Sequence, residues 1–246
     1  MHALRLAVLG LLLLAGCATL EEVPNEESAQ RHYDIGVGAL TSNDTGRAIE
    51  ELRLAVAQAP GNARYQYALG HAYLVARQPD RAVEALRRAV ELDPRYSDAY
   101  NALGSAYYTQ KKWDLAIDAF RKALANPRYM KAEHAHLNLG QVYHEQRRYD
   151  LAAEEFRRVI DIVPKSPDGY FFLGRALLAA GKPAEAKEQL AKAVKLDESI
   201  AQFHLELGLA HLRLGEKAEA AARFRRVIEL NPVGPNADQA RRHLRD

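Results

Sequence analysis

Small and large apolar positions recur along this chain at a fixed spacing, with polar residues filling the intervals. A glycine preceded by Leu or Ile stands at Ile35-Gly36, Leu69-Gly70, Leu103-Gly104, Leu139-Gly140, Leu173-Gly174 and Leu207-Gly208. Successive glycines are 34, 34, 36, 34 and 34 residues apart. Twelve residues after each comes an alanine: Ala48, Ala82, Ala116, Ala152, Ala186 and Ala220. Four further on stands a large apolar residue: Leu52, Leu86, Phe120, Phe156, Leu190 and Phe224. Such a period predicts two antiparallel helices per unit, joined by a tight turn. The small residues let two backbones approach closely, and the large ones, with Leu69, Tyr73 and their equivalents, fill the space between. Asp80, Asp114 and Asp150 are expected to N-cap second helices. Pro60, Pro94, Pro164 and Pro232 stand at one phase and are expected to stop one unit running helically into the next. No unit buries its apolar face alone, so stacking supplies the core.

Over residues 29–234 this pattern resembles the tetratricopeptide repeat (TPR). The resemblance implies an all-α fold, a right-handed superhelical solenoid of six TPR helix pairs with a concave groove. The units fall at residues 29–62, 63–96, 97–132 (with a two-residue insert), 133–166, 167–200 and 201–234. Residues 235–246 are too few for a seventh unit and are expected to form a C-terminal capping helix over the last apolar face.

The N-terminus reads as an address. Residues 1–16 carry a short basic start, with His2 and Arg5, and an apolar run from Leu6 to Ala15. That length suits a secretory signal peptide and is too short to span a bilayer. Leu14-Ala15-Gly16-Cys17 resembles the lipobox of bacterial lipoproteins, which implies cleavage before Cys17 and three acyl chains on it. At about 0.8 kcal/mol per buried methylene, three chains hold a protein on a membrane durably. Ala18 stands where an inner-membrane lipoprotein tends to have Asp, which implies an outer-membrane location with the repeats facing the periplasm. Acidic, polar residues follow, so 17–28 are expected to be the lipidated Cys and a flexible tether.

Charge balance narrows the partners. With 34 Lys+Arg against 32 Asp+Glu, no basic excess points to nucleic acid. A single cysteine permits no intramolecular disulfide. There is no Gly-rich phosphate loop, no Gly-x-Ser-x-Gly and no His-Glu-x-x-His. His134, His136 and His144 cluster in sequence without a carboxylate or Cys at ligand spacing, and are expected to be structural or groove-lining. No catalytic residue, metal, cofactor or small-molecule substrate is expected. The chain reads as a binding protein and not an enzyme.

With each glycine counted as position 8, the TPR resemblance puts first-helix positions 2, 5, 9, 12 and 13 on the inner face. The candidate partner-binding groove in units 1–3 is Tyr33, Leu40, Tyr67, His71, Leu74, Asn101 and Tyr108. In units 4–6 the same positions include His134, Gln141, His144, Phe171, Arg175, Leu205 and Arg213. Aromatics in a concavity anchor a peptide or helix. Alternatively, positions 5 and 12 pack between neighbouring helices. Position 9 reads Val37, His71, Ser105, Gln141, Arg175 and Leu209, without the Lys and Asn of a carboxylate clamp. An extended or helical apolar ligand is therefore expected.

The break in the period is the most diagnostic feature. The segment Ala125-Asn126-Pro127-Arg128-Tyr129-Met130-Lys131-Ala132 is two residues longer than its siblings and leads into Leu137-Asn138-Leu139-Gly140. With the lipobox, six units and the overall length, it is similar to the pilotins of the type IV pilus (PilF/PilW/Tgl type). That resemblance implies an outer-membrane lipoprotein that binds the secretin subunit and promotes its localisation and multimer assembly, supporting twitching or gliding motility. The alternative is a TPR scaffold lipoprotein of another envelope machine, for outer-membrane protein insertion or peptidoglycan synthesis. Six strict units count against the insertion complex, whose TPR lipoprotein usually has five. Ala39 stands where a tyrosine is usual and Glu198 where a closing proline would be.

Overall fold

The computed structural model describes residues 25–245, which form thirteen helices. Six antiparallel pairs follow one another: α1 (Glu26–Thr41) with α2 (Thr45–Gln58), α3 (Ala63–Val75) with α4 (Pro79–Leu92), and α5 (Ser97–Thr109) with α6 (Trp113–Leu124). Next come α7 (Ala132–Glu145) with α8 (Tyr149–Ile162), α9 (Pro167–Ala179) with α10 (Pro183–Leu196), and α11 (Ala201–Arg213) with α12 (Lys217–Leu230). A last helix, α13 (Pro235–His243), lies against α12 and α11. The architecture is the all-α solenoid of six helix pairs.

Each pair closes on its glycine. Gly36, Gly70, Gly104, Gly140, Gly174 and Gly208 are buried against Leu52, Leu86, Phe120, Phe156, Leu190 and Phe224 of the partner helix. Between pairs, each second helix packs on the first helix of the next unit, so the core is a ladder of neighbouring layers. The longest continuous stretch runs from Ala116 to Ala210 and includes Phe120, Tyr143, Phe156 and Phe171. At the end of the ladder α13 buries Ala237 and Ala240, and its His243 stacks 5.1 Å from Phe224.

Every turn within a pair uses a left-handed residue at the same phase. These are Asn43, Arg77, Lys111, Arg147, Gly181 and Gly215, with φ between 56° and 78°. In the second unit the Gln78 N–H reaches the Tyr73 carbonyl at 2.8 Å and the Arg77 N–H reaches Leu74 at 3.0 Å. This pair of bonds is the Schellman arrangement, which satisfies the last carbonyls of the helix.

Two sequence expectations are corrected. Asp80, Asp114 and Asp150 are not N-caps. Helices α4, α6 and α8 begin at Pro79, Trp113 and Tyr149, with Gln78, Lys112 and Arg148 in the cap position and no side-chain cap bond. The acids sit in the first turn, where their charge favours the positive end of the helix dipole. Asp80 accepts from Gln110 Nε2 at 2.8 Å, and Asp150 from Lys182 Nζ at 2.8 Å, joining each turn to the next. At the true cap phase only the first pair has a capping side chain, Asp44, which accepts from the Arg47 N–H at 3.2 Å. The tether expected over 17–28 ends earlier. Asn25 caps the Ser28 N–H at 3.0 Å, and Glu26 and Glu27 complement the dipole in the first turn of α1. The signal segment and Cys17 lie outside the described residues.

Where closing prolines are present, the helix ends before them. At Glu198 no proline is needed, because Asp197 takes up extended geometry at the C-cap (φ −149°, ψ 101°).

Candidate protein-binding groove

First helices of successive units touch one another: α1 with α3, α3 with α5, α5 with α7, and α9 with α11. They form the inner layer of the curve, and the even-numbered helices form the outer one. Position 5 of each first helix can point along this inner layer or into the neighbour.

In units 1–3 the inner face is aromatic. Tyr33 is half-buried, with its ring 5.0 Å from Tyr65 and the Arg64 guanidinium 4.4 Å above it. Arg64 Nε also donates to the Tyr33 hydroxyl at 2.9 Å. Tyr67 is half-buried between Tyr96, at 5.0 Å, and His71, at 6.2 Å. His71 is open to solvent but hemmed in by the groove walls. That partial desolvation, and then Lys131, hold its pKa below the ordinary histidine range. Leu40 and Leu74 are half-buried and pack onto the core. Asn101 accepts from Asn138 Nδ2 at 3.1 Å, tying α5 to α7. Tyr108 is half-buried with its ring edge-on to Trp113 at 5.4 Å.

The insert contributes to this wall. Lys131 Nζ pairs with Asp98 at 3.0 Å, and Asn126 Nδ2 donates to the Ser97 hydroxyl at 3.2 Å. Burial raises the phenol pKa of Tyr67, Tyr96 and Tyr129, and the Asp98 charge reinforces it. These hydroxyls are therefore neutral hydrogen-bonding groups at any physiological pH. The Tyr129 hydroxyl is buried without a protein partner.

Units 4–6 are more polar. Arg175 lies 5.5 Å from the Phe171 ring and 5.9 Å from that of Phe172, and its Nε is 3.6 Å from Glu206. Burial raises the Glu206 pKa, with Arg175 opposing. His144 packs on Tyr149 at 5.3 Å, and burial, then Arg175, lower its pKa. Gln141 is half-buried, and His134 and Arg213 are exposed. Phe171 and Leu205 are not groove residues: both are buried, Phe171 against Phe203 at 4.8 Å. At these two sites position 5 packs between helices. His136 is engaged elsewhere, with Glu155 at 2.7 Å. Among the described residues no three His, Cys, Asp or Glu side chains group as metal ligands.

Sequence reasoning missed Arg64, Tyr96, Asp98, Tyr129, Lys131 and Glu206. Arg64 and Asp98 stand at position 2, one of the inner-face positions, and could have been found there. Tyr96, Tyr129 and Lys131 lie in connections between units, where a helix-position rule gives no signal.

The chain matches profiles described as tetratricopeptide repeat over residues 67–132 and 173–235, and again over 131–199. It is similar in structure to PilW, described as a widely conserved type IV pilus biogenesis factor. The TM-score is 0.79 at 21% identity, covering 85% of this chain and 96% of that one. The structure of pilF from Pseudomonas aeruginosa gives 0.76 at 20% identity, covering 88% of this chain and 97% of that one. Among curated proteins, human protein O-mannosyl-transferase TMTC3 is 37% identical over 76 residues, 30% of this chain. The chain spans only 8% of that protein's length.

Proposed function

Since the chain belongs to the tetratricopeptide-repeat family, whose members bind protein partners, we propose that it is a lipid-anchored assembly factor for the type IV pilus secretin. The observation that carries this reading is end-to-end likeness. Nearly the whole of each pilus factor, 97% and 96%, superposes on 88% and 85% of this chain, so the likeness in fold runs over the length of both. The lipobox at Cys17 supports an outer-membrane site of action on the periplasmic side.

The groove supplies what such a role needs. Tyr33, Tyr67 and Tyr96 offer flat apolar faces, Tyr67 and Tyr96 with neutral hydroxyls at their rims, and large aromatics are the usual anchors of a protein interface. Arg64 and Arg175 are held over aromatic rings, so little side-chain freedom is lost when a partner docks. A secretin segment lying across α1, α3 and α5 is captured by this wall and held at the membrane by the acyl chains.

The test is a gel comparison of heat- and detergent-resistant secretin multimers in cells with and without this protein, with Cys17→Ser as a third sample. The reading requires loss of multimers with monomer still present, and a defect with Cys17→Ser. Unchanged, correctly located multimers in the deletion strain overturn it and leave a scaffold of another envelope machine.

A further inference from the structure

The exposed large apolar side chains are unevenly placed. Six of them lie at the connections between units or at the helix ends beside these: Met130, Ile162, Val163, Leu196, Ile200 and Val233. Met130 is 90% exposed and Val233 78%. In an antiparallel ladder all these connections lie along one edge of the solenoid, and the turns within pairs lie along the other. Neighbouring connections do meet on that edge, since Lys131 reaches Asp98 and Asn126 reaches Ser97. From the insert onward every connection between units carries or adjoins at least one of these exposed apolar side chains. Before it, the connections read Pro60-Gly61-Asn62 and Pro94-Arg95.

The same edge is where the chain enters the fold. Glu26, Glu27 and Gln30 of α1 line one shallow depression with the 59–63 connection, and the Tyr65 hydroxyl donates to Gln30 Oε1 at 3.0 Å. Only eight Cα–Cα steps, with seven residues between, lead from Cys17 to Asn25. A chain of that length reaches at most about 29 Å. The acylated end is thus leashed to the edge that carries the apolar side chains.

Resting on the lipid-anchor reading above, we infer that this inter-unit edge lies against the membrane surface, with Met130, Ile200 and Val233 touching the lipid interface. Asp197 and Glu198 share the edge with Arg128 and Lys165, so its charges balance and the contact rests on the apolar side chains. Individually weak contacts suffice, because the leash raises the local lipid concentration and makes docking intramolecular. In this pose the helices, which run from edge to edge, stand upright on the bilayer. The groove then opens sideways, toward partners embedded in the same membrane.

The test uses the full acylated chain in vesicles of phosphatidylethanolamine and phosphatidylglycerol. With Cys17 acylated, an introduced cysteine is the sole free thiol. An environment-sensitive dye is placed at Met130→Cys, Ile200→Cys or Val233→Cys. On the opposite edge it is placed at Val75→Cys or Leu115→Cys, which are 45% and 48% exposed. Blue-shifted emission and quenching by spin-labelled lipid at the first three positions, with water-like emission at the other two, is the expected result. Mass analysis of Cys17 separates the two readings. Acylated protein whose edge dyes stay water-like overturns the inference and leaves the anchor standing. An unacylated Cys17 overturns both. Dyes that shift only when secretin is added identify the edge as a protein contact, which also overturns the inference.

Discussion

Gly104 and Phe120 occupy one space: a β-carbon added to the glycine would stand 2.5 Å from Cε1 of the ring. The contact recurs, with Leu86 at 2.5 Å from such an atom on Gly70 and Phe156 at 2.5 Å on Gly140. Overpacking a closed core costs about 1–3 kcal/mol, and emptying it by Phe→Ala about 3–5 kcal/mol. Gly104→Ala and Phe120→Ala should each destabilise by these amounts. The double variant should cost less than the sum, because the added methyl fills part of the void. Urea unfolding followed at Trp113, the sole tryptophan and in the same unit, measures all three. Strict additivity would mean that the two residues do not share the space.

The turns within pairs offer a stabilising change. Arg77, Lys111 and Arg147 hold φ values of 56–58°, where a β-carbon is disfavoured. The fifth and sixth units use Gly181 and Gly215 at this phase, at φ 76° and 78°. Relief of left-handed strain is worth roughly 1 kcal/mol. Arg77→Gly should therefore raise the midpoint of urea unfolding, and Gly181→Ala should lower it. A fall with Arg77→Gly would show that lost side-chain contacts outweigh the strain.

His204 makes stability depend on pH. It is buried, its Nε2 donates to the Glu198 carbonyl at 3.0 Å, and its Nδ1 has no partner. Burial holds its pKa below the usual value, against the pull of that carbonyl. The unfolded chain then binds a proton first as pH falls below about 6.5, so stability declines from there down to the lower folded pKa. His71 and His144 act in the same direction, and Glu206, whose pKa is raised, in the opposite one. His204→Gln, whose amide nitrogen stands where Nε2 does, keeps a donor for the Glu198 carbonyl and removes the titration. Its stability should fall less than the parent's between about pH 7 and pH 5.5. Equal slopes in thermal unfolding would clear His204 of the effect.

Binding should divide by face. Tyr67→Ala removes the ring between Tyr96 and His71 and should weaken binding of a secretin segment by about tenfold or more in calorimetry. Leu54→Ala, on the outer helix α2 and 42% exposed, should change it by less than about twofold. Comparable losses from both would move the site off the groove.

Capping gives a paired test. Asp44→Ala removes a bond to the Arg47 N–H and should cost about 1 kcal/mol. Asp80→Ala removes a dipole interaction and an exposed bond to Gln110, worth a few tenths of a kcal/mol. Equal costs in urea unfolding would count against the assignment of these two roles.

What was legible in the sequence was what the period encodes. Small residues against large ones fix the helix pairs, so the glycine ladder placed the elements of the solenoid without knowledge of their contacts. Helix starts were less legible. An aspartate serves the N-cap and the first turn for related electrostatic reasons, and only Pro79 beside Asp80 marks which position it takes. The groove was half legible. Tyr67 and His71 follow from register, whereas at equivalent positions Phe171 is covered by Phe203 of the next unit and Leu205 is buried in a cluster with Phe224, Val227 and Ala240. The Asp98–Lys131 pair spans 33 residues and comes from an insert that breaks the rule used to find everything else.

Among the described residues each helix touches those next to it in the chain, the first helices of most neighbouring units also touch one another, and no comparable contact closes the curve. Such an object bends as a leaf spring does. A partner slightly too wide for the groove would be met by a small slip at every interface between units, with no single one forced open. The energy of fitting it would be shared along the stack and returned when the partner leaves.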